Sequence, residues 1–356
     1  MHVGSMTVGV GKWASIMPAL KAHSHSLTNA ASHQGRQEFQ RTDHRITMSS
    51  PLPPPKPDQA YVTVSPIPGG FITLSDTFFV KPADPNAKRT VPSLTFLIQR
   101  PNHPPNFPSK NAAQPFRLMF DLGLRKSQSR YPDKLQKHIN GRAPFKLEPG
   151  VAQQLTDRGL SPEDIDLVIL SHVHYDHHGD PEDFPNAQFR IGHGAMDVLK
   201  NGLGGVASHQ LFVPDTLPDD RSSELSDPSA WPSLPPFPHV LDLFGDGSVY
   251  VVDTPGHLPG HVNLLCRTER RWVMLCGDAF HDRRLLTGEK EIGTWELEFE
   301  GKTHVCCIHV DEQQARESIR RLREFDEMTG DECELIAAHE EDWWEKHKDQ
   351  IFPGTI

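Results

Sequence analysis

Four apolar runs in this 356-residue chain each end at a side chain that can hold a metal ion, and that coincidence limits the possible folds. IDLVILS (165–171) leads into His172, His174, Asp176 and His177. VYVVD (249–253) is followed by His257 and His261, WVMLC (272–276) by Asp278, and ELIAA (334–338) by His339. Short apolar runs rich in β-branched residues read as buried strands. Polar groups gathered just past strand ends are where α/β proteins build their sites. One histidine is an ordinary residue in a chain with 21 of them, but an H-x-H-x-D-H string followed by His, Asp and His at three later strand ends is a constellation. Its donors are imidazole nitrogen and carboxylate oxygen without thiolate, which suits Zn²⁺, Mn²⁺ or Fe²⁺ rather than Cu(I) or an iron–sulfur cluster.

The rest of the chain agrees with an α/β class. YVTVSPI, GGFITLS, SLTFLIQR and FRLMFDLG are strand-like segments broken by Pro and Gly. Residues 150–160 and 311–328 read as helices, the second with Ala315, Ile319, Leu322 and Phe325 on one face and Asp311 as its N-cap. Ser161-Pro162-Glu163-Asp164 carries a helix-start signature. Residues 1–58 read as a disordered or Pro-rich N-terminal extension ending in the stiff PLPPPKP lead-in, and 59–356 as one domain with a Pro-rich, acidic insertion at about 203–238. A mitochondrial transit peptide is the alternative for the first stretch, where only Lys12, Lys21 and Arg36 supply charge before Glu38. A cytoplasmic location is the expectation otherwise.

Charge and cysteine usage narrow the partners. Lys and Arg number 36 against 47 Asp and Glu, a net charge of −11, which disfavours general binding to nucleic acid or to an anionic membrane. No 18-residue apolar run is present to span a bilayer. Five cysteines without a C-x-x-C pair do not make a secreted disulfide framework. A small-molecule substrate is the remaining expectation, and the oligomeric state is not legible.

HVHYDH, TPGHLPGH, the Gly-Asp after WVMLC and the late AAH together resemble the metallo-β-lactamase superfamily over roughly residues 61–345, in the same order and spacing. The resemblance implies an αββα sandwich with two divalent metals at one edge, Zn²⁺ first, with Mn²⁺, Fe²⁺ or Co²⁺ as alternatives. It assigns His172, His174 and His257 to one metal and Asp176, His177 and His339 to the other, with Asp278 bridging. His257 is the ligand rather than His261, because the family uses the first His of that loop, and His261 falls behind it. Asp121, in FDLG, matches an early strand-end Asp that orients a ligand by a hydrogen bond. The implied chemistry is attack on a carbonyl by a metal-bridging hydroxide, with Asp176 holding the hydroxide in orientation.

Within the superfamily, His174 argues against the flavodiiron branch, which has Glu there, and Asp278 argues against true β-lactamases, which lack the bridging Asp. SHVHYDHHGD, the FPNA motif at 184–187 and AAHEEDW look most like the N-acyl-homoserine-lactonase branch, so opening of a lactone is the leading expectation. Thioester hydrolysis of the glyoxalase II or polyketide acyl-carrier kind, and hydrolysis of a cyclic amide or carbamate, are the alternatives. A single-iron dioxygenase acting on a persulfide is the competitor from another class. One departure stands out. The branch often has Tyr three residues after the bridging Asp, and here that position is His281, either a hydrogen-bond donor to the reacting group or an unrelated loop residue. Tyr175, Cys276, Trp343 and Trp344 read as packing. His178 reads as a solvent-facing residue or a neighbour of the ligands. Trp231 and Phe237 either line a pocket or anchor the insertion.

Overall fold

The computed structural model describes residues 50–105, 107, 114–204, 211–214 and 216–356. The expectation for residues 1–47 lies outside them. Alternation along the strands decides the architecture, because apolar side chains leave both faces of both sheets and every face must be covered. The first sheet has six strands in the order Thr63–Ser75, Lys88–Arg100, Phe116–Phe120, Leu167–Ile169, Gln188–Ile191, Ser222–Glu224. The second has five, in the order Cys333–Ile336, Trp272–Leu275, Val262–Arg267, Val249–Asp253, Val240–Asp242.

One face of each sheet packs against the other sheet. Phe96, Leu118, Phe120, Leu167 and Ile169 of the first meet Val249, Val251, Leu264, Val273, Leu275 and Ile336 of the second in one buried cluster. The intervening residues face outward under helices. Leu97, Met119 and Val168 pack with Val151 and Leu155 of Val151–Thr156 and with Val198 and Leu199 of Ala195–Asn201. Val252, Leu265, Met274 and Leu335 pack with Ala315, Ile319, Leu322 and Phe325 of Glu312–Thr329. The result is the expected αββα sandwich.

Asp311 caps that last helix as the sequence requires, its side chain accepting from Gln314 N. Trp343 and Trp344 dock the helix Glu341–His347, edge-on to Phe96 and Phe71 respectively. Ser161-Pro162 behaves differently from its reading: it opens a single 3₁₀ turn, Pro162–Asp164, because Ile165 is already extended and entering the next strand. YVTVSPI and GGFITLS are one strand, not two, continuing through Gly69-Gly70 with a register shift between Pro68 and Phe71. Residues 203–238 supply the edge strand Ser222–Glu224, and Trp231 and Phe237 are buried in the body, Phe237 against Phe325. They anchor this segment rather than line a pocket. The Pro-rich lead-in also docks, with Arg267 donating to Pro53 O at 2.6 Å. No described helix is long and apolar enough to cross a membrane.

Strand direction then places the site. Phe116–Phe120 and Leu167–Ile169 are parallel, and so are Trp272–Leu275 and Cys333–Ile336, while Val249–Asp253 is antiparallel to the strand between it and Trp272–Leu275. All five therefore deliver their C-terminal ends to one edge of the sandwich. Backbone bonds stitch that edge together: Val262 N to Ser171 O at 2.9 Å, Ala338 N to Gly277 O at 2.9 Å, and Leu94 N to Ala338 O at 2.9 Å. Gly123 permits the closest approach. It sits at φ +68°, and a Cβ there would fall 2.4 Å from the Cα and carbonyl oxygen of Gly69. Gly123→Ala is expected to cost about 2–4 kcal/mol through left-handed strain and overpacking, read as a lowered thermal midpoint. An unchanged midpoint would remove this contact from the account of the fold.

Candidate metal centre

The loop after Leu167–Ile169 is fixed before any ligand is considered. Asp121, just past the neighbouring strand, accepts from Ser171 N at 2.6 Å, from Ser171 Oγ at 2.8 Å and from His177 Nδ1 at 2.9 Å. It does so at φ +59°, a left-handed conformation that a non-glycine residue holds only where its surroundings enforce it. Leu122 N donates to His177 O at 2.8 Å and Gly179 N to Gly123 O at 2.8 Å, so the two loops run as a zipper. On the far side, the Tyr131 hydroxyl accepts from Arg125 N at 2.7 Å and donates to Tyr175 O at 2.9 Å.

With the backbone held, all seven side chains named from the sequence converge, and all are buried. His172 Nε2 lies 2.8 Å from His174 Nδ1, which is 3.0 Å from His257 Nε2. Asp176, His177 and His339 form a second group, with His339 Nε2 3.7 Å from Asp176 Oδ2. Asp278 stands between the two and divides its oxygens. Oδ2 is 3.3 Å from His257 Nε2 and 3.8 Å from His172 Nε2, while Oδ1 is 3.4 Å from His177 Nε2 and 3.3 Å from His339 Nε2.

The outer nitrogens of these rings are tied down, which selects the atoms left facing inward. His172 Nδ1 meets Ser171 Oγ at 3.0 Å, His177 Nδ1 meets Asp121, and His339 Nδ1 donates to Pro92 O at 2.7 Å. His174 stacks on Phe212 at 5.8 Å. His261 holds Asp278 from behind: its Nε2 accepts from Asp278 N at 3.0 Å and its Nδ1 lies 3.0 Å from Thr254 Oγ1.

Electrostatics argue for a cation here. Burial and neighbouring imidazoles hold His172 and His257 well below the usual histidine range, so both are neutral and have lone pairs to give. Burial acts to lower His177 and His339 too, but Asp278 outweighs it and both are raised. Asp278 is itself held well below the carboxylate range, because His177, His339 and His281 overcome its burial. Its Oδ1 faces His177 Nε2 at 3.4 Å and His339 Nε2 at 3.3 Å, yet neither Oδ1 nor His177 Nε2, both buried, makes a well-formed hydrogen bond. Unpaired buried polar atoms are costly unless something else satisfies them. Five imidazoles and two carboxylates converging in this way fit divalent cations of borderline hardness. Cys276 does not join them: its thiol is buried, pushed up by that burial, and directed at Met274 O at 3.6 Å.

His281 is not an unrelated loop residue. Its Nε2 lies 3.0 Å from Asp278 Oδ2, its Nδ1 has no hydrogen-bond partner, and it lines a cavity of about 30 Å³ over the convergence point. Tyr175 also lines that cavity, so it serves as wall as well as packing. His178 is fully buried, pushed down to about 3 by burial, and bonded to Gly179 O rather than facing solvent. Sequence reasoning missed His309. Its Nδ1 is 3.2 Å from His257 Nδ1, giving that ring an imidazole partner where His172, His177 and His339 have oxygen. Its one sequence signal is that a His follows the end of a strand, Lys302–Cys307. Also missed is the clamp from Arg283 to both oxygens of Glu340, at 2.8 and 3.0 Å, which ties the Asp278 loop to the His339 loop.

The bracing makes a direct claim. Asp121→Ala removes three hydrogen bonds from the loop and should weaken metal uptake by about 10- to 100-fold, measured by titration of metal-stripped protein. Uptake equal to that of the unsubstituted protein would dismiss Asp121 as an orienting group.

Comparison with known proteins agrees with this geometry. Residues 118–329, more than half of the chain, match the family model of the metallo-beta-lactamase superfamily. The γ-lactamase MBL2 of Gibberella moniliformis is 30% identical over 183 residues, spanning 46% of this chain and 70% of that protein. The metallo-hydrolase mfmC of Annulohypoxylon moriforme is 27% identical over 348 residues, 86% of each chain. A quorum-quenching N-acyl homoserine lactone lactonase of known structure superposes with a TM-score of 0.59 at 19% identity, covering 84% of this chain and 100% of that one, a likeness of fold. The chain belongs to the metallo-β-lactamase superfamily.

Proposed function

We propose that this protein is a metal-dependent hydrolase that opens the ring of a small lactone or lactam. The observation that carries the reading is Asp278, whose two oxygens each face a separate cluster of imidazoles. His172, His174 and His257 would hold one divalent cation, and Asp176, His177 and His339 a second, with Asp278 shared. When bound, such a pair supplies a hydroxide nucleophile near neutral pH and a Lewis acid for the carbonyl. The cyclic acyl substrate is supported by two relatives of different kinds, one named for γ-lactam hydrolysis and one for lactone hydrolysis.

The chain's own groups supply the rest. Asp176, at the cavity wall, accepts a hydrogen bond from the attacking water and orients it. His281 donates to the carbonyl oxygen or to the departing ring atom. Ile72, Leu74 and Ile308 line the cavity with apolar surface that excludes bulk water and strengthens these interactions. Zn²⁺ is the first metal to test, and a γ-lactone, a γ-lactam and an acyl thioester assayed side by side on metal-replete protein identify the class.

Metal-replete protein is expected to contain close to two cations per chain. His172→Ala or Asp278→Ala should lower that content and cut turnover by more than about 100-fold, a larger effect than loss of an outer hydrogen bond. Full turnover in both variants would sink the reading. For His281, replacement by Phe should lower kcat by about 10²-fold or more, the ordinary scale of general acid catalysis, while His281→Tyr restores part of it. If Phe and Tyr behave alike, His281 is not a proton donor.

A further inference from the structure

One cation on the cavity wall is unaccounted for by hydrolysis. Arg142 is the only Lys or Arg among the described residues that line the cavity over the Asp278 cluster. No carboxylate of the described residues lies within ion-pair distance of it. The arginines nearest to the site on other loops are committed differently: Arg89 and Arg284 to Asp282 and Asp76, and Arg283 to Glu340.

The position of Arg142 is set by its backbone. It follows the helix Asp133–Asn140, its N–H donates to Ile139 O at 2.8 Å, and its carbonyl accepts from Thr73 N at 2.9 Å. The guanidinium lies over the Phe78 ring at 5.3 Å, beside the Tyr175 hydroxyl and 3.5 Å from His138 Nε2. These neighbours shape its orientation without neutralising it. A partly buried guanidinium without a counter-anion has lost hydration that no protein carboxylate returns. Its planar fork of donors matches a carboxylate in two-point contact.

The geometry points to Arg142 as the residue that recognises an anionic group on the substrate, so that the ring opened here carries a carboxylate close to its reacting carbonyl. This inference rests on the hydrolase reading for the identity of the ring, but the recognition itself is independent of turnover. Phe78 gives the same guanidinium a flat apolar backing, so an acidic substituent on a ring or short chain fits the wall better than a long neutral chain would.

Binding separates the two claims. Tetrahydrofuran-2-carboxylate has no bond to hydrolyse, and tetrahydrofurfuryl alcohol is its neutral, equally inert counterpart. Calorimetric titration of both into the metal-replete protein should show a preference for the carboxylate. Arg142→Met should reduce that preference by about 10- to 100-fold, the range for a hydrogen bond to a charged group, and Arg142→Lys should restore part of it. A preference that is unchanged in Arg142→Met assigns the carboxylate to the metal cluster and overturns the proposal, as does the absence of any preference in the unsubstituted protein. With a carboxylate-bearing γ-lactone and its methyl ester as substrates, the same variant should lose selectivity mainly through KM. Failure of the parent protein to open either ring would refute the hydrolase reading while leaving the binding result to stand.

Discussion

The rest of this structure answers to a single electrostatic problem: five imidazoles and two carboxylates share a pocket buried away from bulk solvent. Each group taken alone would cost free energy to bury, and several bring ring nitrogens within about 3 Å of one another. Cations resolve the repulsion, but only if the ligands are in place before the metal arrives. Otherwise each ring must be ordered at the expense of binding. The outer shell of bonds from Asp121, Ser171, Pro92 O and His309 performs that ordering. Asp121 shows how far the chain goes, since its three acceptor bonds hold a backbone conformation that L residues avoid.

The sandwich brings those braces together because five strands finish at the same edge. Each loop is short, so a candidate ligand lies within a few residues of a hydrogen-bonded strand end and inherits its rigidity. His339 follows Cys333–Ile336 by three residues, and Asp278 follows Trp272–Leu275 by three. The Arg283–Glu340 clamp then joins two loops that the sheet alone leaves separate. Glu340 also accepts from Ala337 N at 2.9 Å, so one carboxylate fixes both the approach to His339 and the loop beyond Asp278.

Much of this was legible because it is local. The apolar runs at 165–171, 249–253, 272–276 and 334–338 marked buried strands, and each run overlaps one of the strands that end at the site. Asp311 and the apolar face behind it required only the rules of a helix start. The misses are contacts between distant parts of the chain. Gly69-Gly70 reads as a break until Gly123 is seen lying against it, where absence of a side chain serves packing rather than a turn. The proline-rich segment looks like a detached insertion because nothing nearby in sequence pairs with Ser222–Glu224; its partner is Gln188–Ile191. His309 and Arg142 belong to no motif, since each acts on a group brought near by tertiary structure.

Position 281 shows what such context adds. Where the resembling branch has a phenol, this chain has an imidazole 3.0 Å from Asp278 Oδ2, in ring contact with His257 at 4.9 Å and His309 at 5.2 Å. An imidazolium can hand over its proton and leave a neutral ring, whereas a phenol mostly donates a hydrogen bond without surrendering its proton. The difference matters most when the leaving atom is a poor one. An alkoxide can depart from a tetrahedral centre with a hydrogen bond alone, but an amide nitrogen needs a proton delivered as its bond breaks. Under the proposed reading, a proton delivered by His281 is what a ring amide would require beyond a ring ester.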